Sequence, residues 1–342
     1  MKVLSTVGLT PAQRRMLEAS LAPSDALIDH RCRSQAEMIE AAQDAGKNGG
    51  CEVLFSFRVP DELLRRVPSL KWVQLLSAGA DHILKGLLAE RRDIAVTTAS
   101  GIHATPIAEY TIASMLAFAH GLHLTMRSQI KREWRRNSQF MDIADSLHRK
   151  TLGVIGYGSI GRETARIGDA LGMPVLALKR NPGDHADTGW NPPGVGDPDG
   201  RIPAHWFGPE EREALLSESD YITVTLPMTP QTANFIGARE FAVMRPNAYL
   251  VNIGRGGVID QNAMIEALKA HRIAGAGLDV FEREPLEPES GLWDLENVIL
   301  TPHMSGAYKD YNTGACTLFA DNLKRYCAGQ PLYNLVDRSL GY

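Results

Sequence analysis

Three glycines, Gly156, Gly158 and Gly161, stand in the spacing GxGxxG within GVIGYGSIGRETA. An apolar run precedes the first, and an amphipathic helical pattern opens at Ser159 and Ile160. In that setting the chemistry is phosphate binding. Gly156 allows a tight turn, Gly158 lets the backbone approach a pyrophosphate, and Gly161 allows close helix–strand packing. Unpaired N–H groups at the helix N-terminus would face the phosphates. Alone the pattern is weak, because a plain Gly-rich turn looks the same.

The next strand of such a unit usually ends in an acid, about 20 residues on, that holds a ribose. Here PVLALKRNPG ends in Lys179 and Arg180, with no Asp or Glu from Gly172 to Gly183. A carboxylate at that tip would repel a 2′-phosphate, whereas a Lys–Arg pair can bind one. The expected cofactor is therefore NADP(H), with NAD(H) possible. Arg180 is the stronger candidate because its planar fork can bind two oxygens. Two solvated surface cations are the plainer alternative.

The elements around these residues alternate between strand and helix. KVLSTV, DALIDH, EVLFSF, WVQLLS and IAVTTA read as strands, with helices such as PAQRRMLEASL and DELLRRV between them. A second series, TLGVIG, PVLALK, YITVTL, AYLVNI, AGAGLDV and NVILTP, begins near Thr151. Both series predict α/β layers built on parallel sheets. The second has the strand count of a doubly wound nucleotide fold. An apolar helix, Pro106–Leu124, and a basic stretch, RSQIKREWRRNSQF, lie between the series. A last helical segment, NTGACTLFADNLKRYCAG, is positioned to return to the first domain. Residues 181–210 are rich in Gly, Pro and Asp and read as a long loop, either functional or a surface insertion.

Length and composition bound the rest. A chain of 342 residues suggests about two domains. A net charge of −4 gives no sign of a nucleic-acid surface. Cys32, Cys51, Cys316 and Cys327 lack metal-ligand spacing, which suggests reduced thiols in a cytoplasmic protein and no metal. The start, MKVLSTVGLTPAQRRM, does not read as a signal peptide. The longest apolar stretch carries Glu109, His120 and His123, which fits a buried helix better than a membrane span.

Three further segments, YLVNIGRGGVID, AGLDVFEREPL and ILTPHMSG, together with GYGSIG, resemble the D-isomer-specific 2-hydroxyacid dehydrogenases. LLSAGADHI, AEYTIASMLA and the ending LVDRSLGY are also similar to family segments, so the resemblance covers nearly the whole chain. It implies two αβα lobes with a cleft between them: a Rossmann-type dinucleotide-binding domain and a smaller flavodoxin-like substrate domain. The expected boundaries are 1–101 for the first part of the substrate domain and 102–306 for the dinucleotide domain. Residues 307–342 would form a helix and tail returning to the substrate domain. The family is commonly dimeric, often through the helix matching Pro106–Leu124, which implies a homodimer.

The same resemblance implies roles for individual residues. His303 would be the acid/base, since imidazole titrates near neutrality. Glu284 would sit beside it, stabilise the imidazolium and fix the tautomer. Arg255 would grip the substrate's carboxylate and carbonyl oxygens and stabilise developing alkoxide charge. Asp279 would take the nicotinamide carboxamide, although an Asp at a strand end often caps the next turn. Ser77, Ala78 and Gly79 would hold the substrate carboxylate through backbone N–H groups. Leu226, Pro227 and Ile253 would line the cofactor.

The function implied is reduction of a small 2-oxo acid, such as glyoxylate or hydroxypyruvate, by NAD(P)H. Formate dehydrogenases carry Gln where this chain has Glu284. Phosphite dehydrogenases carry a Lys in the loop matching LLSAGADHI. Regulated phosphoglycerate dehydrogenases add a C-terminal domain. The alternative from another class is a dinucleotide-sensing co-regulator on the same scaffold, for which no disordered docking arm is visible.

Overall fold

A computed structural model describes residues 1–46, 50–80, 83, 86–141 and 143–338. The chain divides into two compact units, the first formed by Met1–Ile102, Thr188–Pro192 and Tyr308–Tyr342, the second by His103–Asp187 and Pro193–Ala307.

The first unit is built on five parallel strands: β1 (Lys2–Ser5), β2 (Ala26–Asp29), β3 (Val53–Ser56), β4 (Trp72–Leu75) and β5 (Ala95–Thr97). Their order is β2-β1-β3-β4-β5, the flavodoxin-like arrangement. β3 and β4 are buried at every position. That is why VLFS and WVQL read as continuous rather than alternating apolar runs: both faces of a parallel sheet are covered. One face packs on the helices α1 (Pro11–Glu18) and α11 (Tyr311–Cys327), where the Phe319 ring stacks on Phe55 at 4.5 Å and meets Trp72 edge-on at 5.4 Å. The other face carries α2 (Gln35–Gly46), α3 (Asp61–Arg66) and α4 (Leu87–Glu90) over Leu54, Val73 and Leu75. Thr10 starts α1 with a capping box: its hydroxyl accepts the Gln13 N–H at 3.3 Å, and the Gln13 side chain accepts the Thr10 N–H at 2.9 Å.

Part of the Gly/Pro-rich insertion belongs to this first unit. Trp190 is 7% exposed among Ala99, Ile102 and Phe319. Its indole N–H donates to Asp321 Oδ2 at 3.0 Å, and its backbone N–H donates to Asn334 Oδ1 at 3.1 Å.

The second unit holds seven parallel strands: β6 (Leu152–Ile155), β7 (Val175–Leu178), β8 (His205–Phe207), β9 (Tyr221–Val224), β10 (Tyr249–Asn252), β11 (Gly275–Leu278) and β12 (Val298–Leu300). The order β12-β11-β10-β9-β6-β7-β8 reverses direction at β6, a doubly wound sheet. Helices α7 (Ser159–Ala170), α8 (Arg212–Glu218), α9 (Ala238–Val243) and α10 (Gln261–Lys269) connect the strands.

Two sequence expectations change here. β8 lies inside the stretch expected to be loop. It is a three-residue edge strand, too short to show a period, and it forms because Leu176–Leu178 offer an open edge. The single helix expected over Pro106–Leu124 is two, α5 (Ala104–Ala119) and α6 (Leu122–Lys131), broken where Gly121 takes φ +64°. The apolar faces of α5 are consumed inside the unit by α7 and the sheet. In this region Leu122, Met126 and Ile130 of α6, and Trp134 beyond it, are exposed apolar residues. Among the described residues, no helix is long and apolar enough to cross a membrane. All four cysteines are free thiols.

Candidate active site

Parallel strands direct all their carboxyl ends to one edge of a sheet, and ligands of doubly wound folds bind there, at the point of reversal. In the second unit that edge carries most of the residues singled out from the sequence. The glycine turn follows β6, Lys179 and Arg180 follow β7, and Leu226 and Pro227 follow β9. Ile253 and Arg255 follow β10, Asp279 and Glu284 follow β11, and His303 follows β12.

The glycine turn fits a pyrophosphate. Gly156 has φ +101°, a left-handed conformation that disfavours any other residue. Its N–H donates to Leu178 O at 3.0 Å, which ties the turn to the tip of β7. Gly158 caps α7, and a Cβ built on it would meet nothing within 4 Å, so its backbone is open to a ligand. Ser159 and Ile160 form the first helical turn above it, and Gly161 packs against Gly156 and Val154. These residues would hold the phosphates of a dinucleotide by backbone N–H groups and helix dipole.

Lys179 is half-buried and its ammonium donates to the carbonyl of Asp184; Arg180 beside it is exposed. Leu226 and Pro227 are half-buried, and Ile253 is buried.

Arg255 stands in the loop after β10. Its Nη1 donates to Gly254 O at 2.9 Å. Asn252, 2% exposed, pins this loop, with Nδ2 donating to Arg255 O and Oδ1 accepting from Gly254 N, both at 3.2 Å. Gly256 lies so close to the backbone of Phe281 and Glu282 that any side chain would collide with it. That approach sets the Arg255 loop directly beside the segment carrying Glu284.

Glu284 divides its two oxygens. Oε1 accepts the Phe281 N–H at 3.0 Å, and Oε2 lies 2.7 Å from His303 Nδ1. With Nδ1 engaged, Nε2 is the nitrogen that can meet a substrate. Both side chains keep contact with solvent, at 48% exposure for His303 and 36% for Glu284, so the pair is accessible to one.

His303 has φ +51°, an uncommon conformation for a residue with a Cβ. Asp279 holds it there. This carboxylate is 0% exposed; Oδ1 accepts from Thr301 Oγ1 at 2.6 Å and Met304 N at 2.8 Å, and Oδ2 accepts from Ser305 N at 2.9 Å. The His303 N–H donates to the Asp279 carbonyl at 2.8 Å. Asp279 thus caps the whole 301–305 turn. The Tyr110 hydroxyl, its pKa pushed up to about 12 by burial, lies 2.6 Å from Thr301 Oγ1.

Asn252, Thr301 and Tyr110 escaped the sequence reading. Asn252 and Thr301 lie inside quoted motifs, where a polar residue ending an apolar strand was the available signal. Tyr110 lies inside the quoted AEYTIASMLA but carried no such signal, because its partner is 191 positions away.

In the first unit, Ser77, Ala78 and Gly79 follow β4. The Ser77 hydroxyl donates to Gly79 O at 2.8 Å, and Ser77 O accepts the Ala99 N–H at 2.9 Å. Asp81 and His82 of the same motif lie outside the described residues.

Known proteins resemble this arrangement. Residues 112–305 match the model of the D-isomer specific 2-hydroxyacid dehydrogenase NAD binding domain. A glyoxylate reductase of Thermococcus litoralis is 34% identical over 291 residues, 84% of this chain and 83% of that protein. A glycerate dehydrogenase of Methylorubrum extorquens is 32% identical over 299 residues, covering 84% and 86%. The NADPH-dependent glyoxylate/hydroxypyruvate reductase of Sinorhizobium meliloti, solved with NADP and sulfate, superposes with a TM-score of 0.74 at 25% identity, covering 100% of this chain and 99% of that one. With the glycine turn, the guanidinium loop and the carboxylate–imidazole pair ranged along one sheet edge, the chain belongs to the D-isomer-specific 2-hydroxyacid dehydrogenase family and is an NAD(P)-dependent oxidoreductase.

Proposed function

We propose that the protein reduces a small 2-oxo acid, of the glyoxylate or hydroxypyruvate class, with NADPH preferred over NADH. The observation carrying this reading is the 2.7 Å contact between His303 Nδ1 and Glu284 Oε2, beside the Arg255 loop.

The dinucleotide, when bound, supplies the hydride that reaches C2 of the substrate. His303 Nε2 gives the proton that the carbonyl oxygen needs, and Glu284 stabilises the imidazolium before the transfer. Arg255 binds the carbonyl and carboxylate oxygens and offsets negative charge as it develops. The Ser77–Gly79 loop is the candidate seat for the carboxylate through its N–H groups. Asp279 acts chiefly through the turn it caps. Its carboxylate is 0% exposed and already accepts three hydrogen bonds from that turn.

NADPH preference rests on Lys179 and Arg180 at the tip of β7, where no carboxylate stands. A homodimer is part of the same reading, and the exposed Leu122, Met126 and Ile130, four residues apart on α6, support it. Light scattering on the purified protein tests that part.

The deciding experiment is a reductase screen of small and bulky 2-oxo acids, each with NADPH and NADH. Turnover of small substrates with a lower NADPH constant is expected. A broad panel without turnover, alongside intact cofactor binding, would overturn the enzymatic reading and favour a dinucleotide sensor.

A further inference from the structure

The insertion after β7 is fastened to the glycine helix by side chains that the reaction itself does not use. Arg162, in the first turn of α7, is 1% exposed. Its Nη1 donates to the Asp197 carbonyl, its Nη2 to the His185 carbonyl at 2.7 Å, and its Nε lies 3.5 Å from Asp187 Oδ2. The guanidinium also lies 4.9 Å from the centre of the Tyr157 ring. Tyr157 donates its hydroxyl to Asp197 Oδ2 at 2.8 Å, and Glu163 Oε2 accepts the Gly196 N–H at 2.7 Å. Two arms of the insertion, 184–187 and 196–202, are therefore clamped onto the element that begins at the phosphate turn. A buried Arg spending its donors on backbone carbonyls dictates where that backbone runs.

One of those arms governs Lys179. The Asp184 carbonyl accepts from the Lys179 ammonium, and the adjacent His185 carbonyl accepts from Arg162. Asp184's own carboxylate turns instead to Asn181 Nδ2, at 3.2 Å. An ammonium gripped by a neutral carbonyl keeps its net charge to offer to an anion. Burial and the nearby Arg162 charge push the Lys179 ammonium below the usual lysine range, a cost that an arriving dianion would relieve.

The geometry points to Arg162 as a positioning residue for cofactor selection: by fixing the 184–187 arm, it holds Lys179 where the ribose 2′-phosphate of NADP(H) binds. This rests on the NADPH reading above. It adds a residue inside the glycine-helix motif, remote in sequence from the strand tip, and gives the insertion a task. Arg162 does not touch the cofactor; it acts through His185, Asp184 and Lys179.

Calorimetry with two fragments, adenosine 2′,5′-bisphosphate and AMP, separates the effects, with NADPH and NADH constants measured in parallel. Arg162→Met should weaken the bisphosphate about tenfold while leaving AMP within about twofold. The NADPH constant should rise in step, with kcat at saturating NADPH kept. Arg162→Lys should recover part of the loss. Arg162→Met combined with Lys179→Met should be no worse than Lys179→Met alone. Arg162→Gln, shorter and uncharged, keeps amide donors but cannot reach the Asp197 and His185 carbonyls at once. It should shift the same ratio in the same direction, by less, and serves if Arg162→Met does not fold. Equal weakening of both fragments by Arg162→Met would reduce Arg162 to a structural residue. An unchanged ratio in a folded Arg162→Met or Arg162→Gln protein would also overturn the proposal. If the wild type binds both fragments alike, the NADPH reading fails first and takes this inference with it.

Discussion

Glu284 reaches His303 with one oxygen and its own loop backbone with the other: Oε2 lies 2.7 Å from the imidazole Nδ1, and Oε1 accepts the Phe281 N–H at 3.0 Å. The carboxylate is thus aimed before any substrate arrives. Glu284→Gln keeps the shape and removes the charge that the proposed mechanism uses to stabilise the imidazolium. We expect kcat to fall about 100-fold with cofactor affinity unchanged, measured by steady-state rates and fluorescence titration. A rate within a few-fold of wild type would remove Glu284 from the mechanism.

His303→Ala should cost more, roughly 1,000-fold in kcat, because the proposed proton donor itself is lost. NADPH binding should survive, since the glycine turn belongs to a different strand end. Full activity in this variant would refute the assignment of His303.

Asp279→Asn should act on the turn. The buried carboxylate accepts from Thr301, Met304 and Ser305. An amide replaces one acceptor with a donor and leaves a buried group unpaired, at a cost of about 1–3 kcal/mol. His303 then loses the support for its left-handed backbone. The expected result is a lowered melting temperature together with a lowered kcat. A fall in stability at full kcat would show that His303 holds its position without the cap.

Lys179 and Arg180 changed together to neutral residues should raise the NADPH constant about 100-fold and the NADH constant far less, since charged hydrogen bonds to phosphate are the strong ones. Equal effects on both cofactors would end the case for a 2′-phosphate site.

The fold was legible in the sequence to the extent that burial wrote itself into local runs. VLFS, WVQL and YITV are buried at every position and were readable as strands for that reason. β8 was not, because HWF is formed by an open sheet edge rather than by its own pattern. The break between α5 and α6 was hidden because LHLTM continues the apolar texture beyond Gly121. At the site, the motifs carried His303, Glu284 and Arg255. The parts that aim them depend on pairings between distant residues, such as Tyr110 with Thr301, which no local pattern encodes. Asp279 shows how a residue can be located by motif while the hydrogen bonds of its carboxylate, all to the 301–305 turn, come only from the structure.

Trp190 provides a test of the insertion's other anchor. Trp190→Ala deletes a buried ring and its bond to Asp321, which should cost about 3 kcal/mol. Trp190→Phe should lose roughly 1 kcal/mol, the share of the hydrogen bond. Hydrogen exchange should locate the loss in α11 and the first unit's sheet, with the second unit's β6 and β9 unaffected. Uniform loss of protection across both units would contradict an anchor confined to the first.

His103 sets an acid limit on stability. It is 8% exposed at the start of α5, and burial lowers its pKa from 6.5 to about 4. The unfolded chain takes up a proton near pH 6.5, while the folded protein resists until about pH 4. Below pH 6.5 the unfolded state therefore binds more protons, and folding stability drops with falling pH until both forms are protonated. The full loss is roughly 3 kcal/mol, of which about 2 should be gone by pH 5. His103→Leu removes the titration. Urea unfolding at pH 7 and pH 5 should show a smaller difference in the variant than in the wild type. An identical pH dependence would mean that the imidazole is not held neutral in the folded protein.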